Sequence, residues 1–258
     1  MKIYDCFLYN GEDKMLNFRM HELADYVDKF IIVEGAFTFK GDTKELKFDL
    51  NNYSKFKDKI IYKVCNTAPF QNAWDNEKTQ RNYLKEGFRG IEILSNDVIM
   101  LSDVDEIPDL TFLKGLKENN FYGMNTSFHN FYYYNIECRK KTKWPGTVFV
   151  SAQIFKERAR SNFDLLRNAR HSFPLIGKHG DYESGGWHFS YFGDVNYIVN
   201  KIKSFSHQEY NSEKYTNPET IEQLIRDKKD LFFREDDSEQ FDHVSNETYL
   251  PKFVDMIK

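Results

Sequence analysis

Val98-Ile99-Met100-Leu101-Ser102-Asp103-Val104-Asp105-Glu106 sets four apolar residues directly against a cluster of carboxylates. An unbroken apolar run of this length, without polar alternation, reads as an inner parallel strand covered on both faces. In open α/β sheets, ligands bind outside the carboxyl ends of such strands. Asp103 and Asp105, two residues apart at that edge, are hard oxygen donors suited to holding Mg²⁺ or Mn²⁺ against a substrate diphosphate. A bare Asp-x-Asp occurs in many solvated turns. Here the apolar strand before it, with Glu106 and Pro108 after it, makes the segment a candidate metal centre.

The chain before this segment alternates strands and helices. Ile3 to Tyr9, Phe30 to Val33 and Ile60 to Val64 read as strands. Asn10 offers an N-cap to a helix whose apolar stripe is Leu16, Met20, Leu23, Ala24 and Val27. A second helix is expected over Trp74 to Gly87, with Gly87 as its stop. Pro108 opens a short helix through Leu116. This is a β-α-β nucleotide-binding pattern without the Gly-rich signatures of dehydrogenases or P-loop enzymes. After it, Phe128 to Ile136 and Thr147 to Ile154 read as strands joined through Trp144-Pro145-Gly146. Phe163 to Ala169 is a short helix, and Val195, Ile198, Ile202 and Phe205 fit another. Asn217-Pro218 starts a further helix as cap and first-turn proline. The stretch from Arg234 to Asn246 reads as loose, and Tyr249 to Ile257 as a terminal helix.

The 258 residues suit one α/β domain, with a nucleotide half over about 1–117 and an acceptor half over about 118–258. A net charge of −4 argues against a general nucleic-acid binder but not against an anionic small molecule neutralised by a cation. Aromatic residues make up 17% of the chain, which is compatible with stacking on sugars, although most rings belong in a core. Three cysteines, none in a CxxC spacing, suggest reduced thiols and a soluble cytoplasmic setting. No window approaches the length of a membrane span, and the first residues read as a strand rather than a leader.

The segments Asp5-Cys6-Phe7-Leu8-Tyr9-Asn10, Arg19-Met20-His21-Glu22-Leu23, Val27 to Glu34, Phe37-Thr38 and Ser102 to Pro108 resemble glycosyltransferase family 17. Trp144-Pro145-Gly146-Thr147, Gly186-Trp187-His188 and the helix from Ile221 to Asp230 continue the resemblance in order. It implies a GT-A-type, Rossmann-like fold: a mixed, mostly parallel sheet flanked by helices. It also implies inverting transfer of GlcNAc or a similar sugar from a UDP-sugar to a carbohydrate acceptor.

Candidate roles follow. Asp103 and Asp105 face the metal, and His188 is a third ligand because a neutral imidazole binds Mn²⁺. In GT-A-like enzymes an acid in the place of Glu34 faces the nucleoside. Tyr9 and Asn10 border the base, and Arg81 reaches the diphosphate, with Asp103 a possible ribose contact. An inverting transfer needs a general base, for which Glu183, Asp181 and Glu106 are the candidates. Trp144, Trp187 and Tyr133 would stack on acceptor sugars; in the run Tyr132 to Tyr134, only alternate rings can face one side of a strand. Two other classes share parts of this pattern. A Mg²⁺-dependent phosphotransferase or phosphatase would use the same acids, but Ile107 stands where a haloacid-dehalogenase-type motif has Thr or Val. A non-catalytic carbohydrate-binding protein has no use for an Asp-x-Asp at a parallel strand edge.

Overall fold

The computed structural model describes residues 1–171, 185–234, 241–243 and 248–258. Strands β1 (Ile3–Tyr9), β2 (Lys29–Gly35), β3 (Ile60–Cys65) and β4 (Val98–Leu101) are parallel, in spatial order β3-β2-β1-β4. Alternation along these strands divides the apolar residues between two cores. Phe7, Phe30, Ile32, Val98 and Met100 face one side of the sheet. Tyr4, Cys6, Ile31, Val33, Ile99 and Leu101 face the other. Helix α1 (Asp13–Leu23) covers the first face with Leu16, Phe18, Met20 and Leu23. Helix α2 (Ala73–Asn82), capped by Asn72, precedes β4.

The second half extends the same sheet. Strand β5 (Glu106–Pro108) and helix α3 (Leu110–Glu118) are followed by β6 (Met124–Tyr133), β7 (Cys138–Lys140) and β8 (Trp144–Ser151). β8 runs antiparallel beside β4, and β6 antiparallel beside β8. After α4 (Ala152–Arg158) and α5 (Phe163–Ala169), strand β9 (Gly186–Ser190) lies between β5 and β6, antiparallel to the former and parallel to the latter. Helices α6 (Val195–Ser204), α7 (Glu213–Thr216) and α8 (Pro218–Asp227) pack with β6 around a third core, and β10 (Phe241–His243) pairs with β7. The result is a mixed α/β sheet flanked by helices, parallel in the four strands at one end and antiparallel in its extension.

Several local expectations give way to tertiary packing. Asn10 does not cap α1: the chain turns at Gly11 (φ +98°), Glu12 takes the cap position, and its carboxylate bonds back to the Asn10 amide at 2.7 Å. Gly87 does not stop a helix but sits in a 3₁₀ turn against β2, where a Cβ would stand 2.3 Å from Ile31. Pro108 ends a strand rather than opening a helix, and α3 begins after Asp109, whose carboxylate caps the Thr111 amide at 2.6 Å. Trp144, Pro145 and Gly146 are strand rather than connection, and Ile154 belongs to α4. Part of the expected loose stretch is β10, and the expected terminal helix is a short 3₁₀ turn over Val254–Met256.

Candidate active site

β4 ends at Leu101, and the chain turns through Ser102 to Asp105 at the carboxyl edge of the parallel strands. Asp105 is almost buried; its Oδ2 meets the Lys201 ammonium of α6 at 3.0 Å and its Oδ1 lies 3.5 Å from His188 Nε2. Burial alone would raise the Asp105 carboxyl, but Lys201 and His188 more than reverse this and hold it below the usual carboxylate range. Burial disfavours the charge on Lys201, yet Asp105, with Tyr197 and Glu12 beside it, raises that ammonium well above its ordinary value. Asp103 is half-exposed and paired with Arg167 of α5.

Glu106 is fully buried. It accepts both terminal nitrogens of Arg167 at 2.7 Å, Arg170 at 3.2 Å, the Trp144 indole at 2.6 Å and the Asp103 amide at 2.8 Å. Against the effect of burial, the two guanidiniums keep its carboxyl well below the ordinary range. Arg170, pressed by burial and by the neighbouring Arg167, is lowered to about 10. A carboxylate so fully occupied is a poor proton acceptor; its geometry is that of an anchor for the turn and for α5.

A cleft of about 500 Å³ opens over this turn, a volume in the usual range for small-molecule sites. Its described lining carries six Lys or Arg residues (Arg81, Lys140, Lys143, Arg170, Lys201, Arg234) against four acids (Glu12, Glu77, Asp103, Asp105). The chain as a whole has a net charge of −4, so the described lining is more cationic than the chain average. That local excess suits a diphosphate. A second concavity of about 530 Å³ beside α2 has Asp75 as the only acid in its described lining and lacks such convergence.

Tyr9, Asn10, Arg81, Asp103, Asp105, Tyr133, Trp144 and His188 all line the cleft. Tyr9 gives its hydroxyl to Asp13 at 2.6 Å, and Arg81 is held by Glu77 and by Asp164 at 2.9 Å. Glu34 does not reach the cleft as a free acceptor. Its two oxygens take Lys44 Nζ, the amides of Lys47 and Phe48, and the Tyr62 hydroxyl, all within 3.1 Å. Trp187 is also turned away. It alternates with His188 along β9, packs in the first core, stacks near Tyr249 and donates its indole to the Tyr249 carbonyl at 2.9 Å. Asp181 and Glu183 lie outside the described residues. In sequence Arg167 and Lys201 look like polar-face residues of short helices and Arg170 like a residue just past one; only their convergence in space marks them.

The donor set fits a hard divalent cation by its chemistry, carboxylate oxygens with an imidazole nitrogen. Among the described residues no three His, Cys, Asp or Glu side chains form a ready-made cage. A Mg²⁺-type site needs none, because one or two carboxylates commonly share the ion with substrate phosphates. The His188 ring stacks on Phe131 at 4.5 Å, with Nε2 towards Asp105 and Nδ1 buried without a partner.

A mixed sheet with an acidic turn beyond its parallel strands places this chain among the α/β proteins whose ligand site lies at the strand carboxyl edge. The model of glycosyltransferase family 17 matches residues 1–247, and the chain belongs to that family. Among its relatives, the β-1,4-mannosyl-glycoprotein 4-β-N-acetylglucosaminyltransferase of Rattus norvegicus is 28% identical over 206 residues, covering 72% of this chain and 36% of the relative. The Homo sapiens enzyme of the same name is 27% identical, with 72% and 37% covered. The chain thus spans little more than a third of the length of these relatives. Among solved structures, HddC from Yersinia pseudotuberculosis aligns with TM-score 0.39 and 13% identity, covering 74% of this chain and 91% of that one. The glycosyltransferase GlyE of Streptococcus pneumoniae aligns with TM-score 0.33 and 11% identity, covering 88% and 51%. Among the described residues no helix is long and apolar enough to cross a membrane.

Proposed function

We propose that this protein transfers GlcNAc or a closely related sugar from a UDP-sugar to a glycan acceptor, with inversion and with help from Mn²⁺ or Mg²⁺. The observation that carries the reading is Asp105, flanked by His188 and Lys201, at the carboxyl edge of parallel strands in a cleft whose described lining holds more Lys and Arg than Asp and Glu. Asp105 and His188 would hold the metal, with Asp103 completing the set when it turns from Arg167. The bound ion supplies Lewis-acid neutralisation of the departing diphosphate. Lys201, Arg170 and Arg81 add fixed positive charge around that diphosphate, stabilising the negative charge that develops on it.

The first half would hold the nucleotide, with Tyr9 and Asn10 beside the base; the second half would hold the acceptor against Trp144 and Tyr133. The acceptor hydroxyl oxygen attacks the anomeric carbon from the face opposite the nucleotide. The bond from that carbon to the diphosphate oxygen breaks, and its electron pair leaves with UDP. The hydroxyl proton passes to a carboxylate. Glu183 or Asp181 suits this step better than Glu106, whose oxygens are already engaged by two arginines, an indole and an amide.

A panel of nucleotide sugars, tested for thermal stabilisation with and without Mn²⁺, checks the proposal, because a ligand selective for the folded state raises Tm. UDP-GlcNAc or another UDP-sugar should raise Tm with Mn²⁺ and lose most of that effect with a chelator. No stabilisation by any nucleotide sugar in Mn²⁺ would refute it.

A further inference from the structure

Beneath the acidic turn lies a side chain that does not line the cleft yet bonds to four of the five residues from 102 to 106. Arg19, on α1, is completely buried. Its Nε and Nη2 take both oxygens of Asp5 on β1, at 2.8 and 2.6 Å. Nη2 also reaches Ser102 Oγ at 2.6 Å. Nη1 donates to three carbonyls: Asp103 at 3.1 Å, Val104 at 3.3 Å and Glu106 at 2.7 Å. The guanidinium lies over the Phe7 ring, 4.7 Å from its centroid.

We infer that Arg19 is a positioning residue of this site, holding the 102–106 backbone so that Asp103 and Asp105 face the cleft. The inference builds on the donor-binding role proposed above for those acids. Carbonyls drawn to the core side by one guanidinium leave both aspartate side chains on the cleft side, where they line it. The Glu106 carboxylate closes the turn from the other direction by accepting the Asp103 amide. Asp5 supplies the opposite charge that permits a guanidinium to be buried here. The planar fork of arginine is what the geometry requires: two N–H groups for a carboxylate and others aimed at separate oxygens. Lysine offers its donors from a single point and can answer Asp5 or the carbonyls, not both sets. This divides two tasks that would otherwise fall together: α1 and β1 fix the shape of the turn, while the cleft residues supply its charge.

Arg19→Lys is therefore the diagnostic variant, because it keeps a cation for Asp5 while giving up the carbonyl grip. Leu23→Ala, on the same helix and in the same core, is the control for general destabilisation. Hydrogen exchange at the amides of 102–106 should speed up about tenfold or more in Arg19→Lys, with other strand amides little changed. Calorimetric titration with UDP in Mn²⁺ should show affinity about tenfold weaker, the lower end of what supporting partners contribute to metal sites. Leu23→Ala should lower Tm and move neither readout. If Arg19→Lys fails to fold, Ser102→Ala removes one partner of Arg19, leaves Asp5 paired, and should show the same changes in smaller measure. Exchange at 102–106 matching that of the wild type in the folded variant, with Tm lowered as in Leu23→Ala, overturns the inference. The exchange measurement needs no nucleotide. A wild-type protein that ignores UDP would therefore count against the donor reading, while exchange still decides the part played by Arg19.

Discussion

Strands β2 and β4 each carry an acid to the same edge of the same sheet, yet the two ends are built for opposite purposes. β2 delivers Glu34, and the chain folds back over it: Lys44, the Lys47 and Phe48 amides and Tyr62 satisfy its oxygens. β4 delivers Asp103 and Asp105 into a cleft, where Arg167, Lys201 and His188 meet them from separate helices and a distant strand. A buried acid whose lone pairs are filled by local amides is a structural pin. An acid that lines a cavity and is met only by side chains from separate elements keeps room for a ligand beside it. A carboxylate at a strand end is read correctly only when its acceptor sites are counted.

The largest break in this comparison should come from Asp105→Ala. Turnover should fall about a thousandfold, equivalent to ~4 kcal/mol of barrier, in a protein that keeps its circular dichroism. Steady-state assay with the UDP-sugar identified by the thermal panel checks it, and near-wild-type turnover would erase the distinction between the two strand ends.

Glu34→Ala should act the other way round. It strands the donors gathered over β2, so unfolding in urea should show a loss of about 3 kcal/mol. UDP affinity, measured well below the midpoint, should stay within a factor of two. A large change in affinity with little change in stability would return Glu34 to the nucleoside.

A smaller effect separates the two ends by pH. His129, whose Nε2 meets Ser127 Oγ at 2.8 Å, is buried, and burial pushes its imidazole down to about 3 even though Glu106 pulls upward. In the unfolded chain it takes a proton near 6.5, so below that pH the unfolded state binds more protons and stability falls as pH drops towards 3. Between pH 6.5 and 5 this amounts to ~2 kcal/mol. Asp105 and Glu106, with lowered values in the fold, contribute stability that is present above the unfolded carboxylate range and lost at still lower pH. Urea titrations at pH 7 and pH 5 should show the loss in wild type and a much flatter difference in His129→Asn.

Much of the framework was legible because it rests on local pattern. Continuous apolar runs marked β2 and β4, short apolar-rich stretches marked β1 and β3, and Asn217-Pro218 marked the start of α8, where the asparagine does cap the Thr220 amide. Asp103, Asp105 and His188 were legible as candidates because carboxylates at a strand edge and an imidazole after paired glycines are chemically conspicuous. β9 was not legible as a strand, since its partners β5 and β6 lie some 80 and 60 residues away in sequence and no short-range signal announces them. Trp144 and Trp187 look alike as letters. One borders the cleft with its indole on Glu106, the other lies in the core, and the difference is one of strand face.

Composition, apolar periodicity and the segment ending in Asp103-Val104-Asp105-Glu106 were enough by themselves to determine an α/β sheet with an acidic edge, because strand burial and ligand chemistry are written in residue type and spacing. Only the tertiary structure decided that Glu34 and Glu106 are filled, that Trp187 is core, and that Arg19, Arg167 and Lys201 converge on one turn. Those outcomes depend on which side chains from separate elements reach the same few ångströms, and hydrogen-bonding capacity used in one place is unavailable in another.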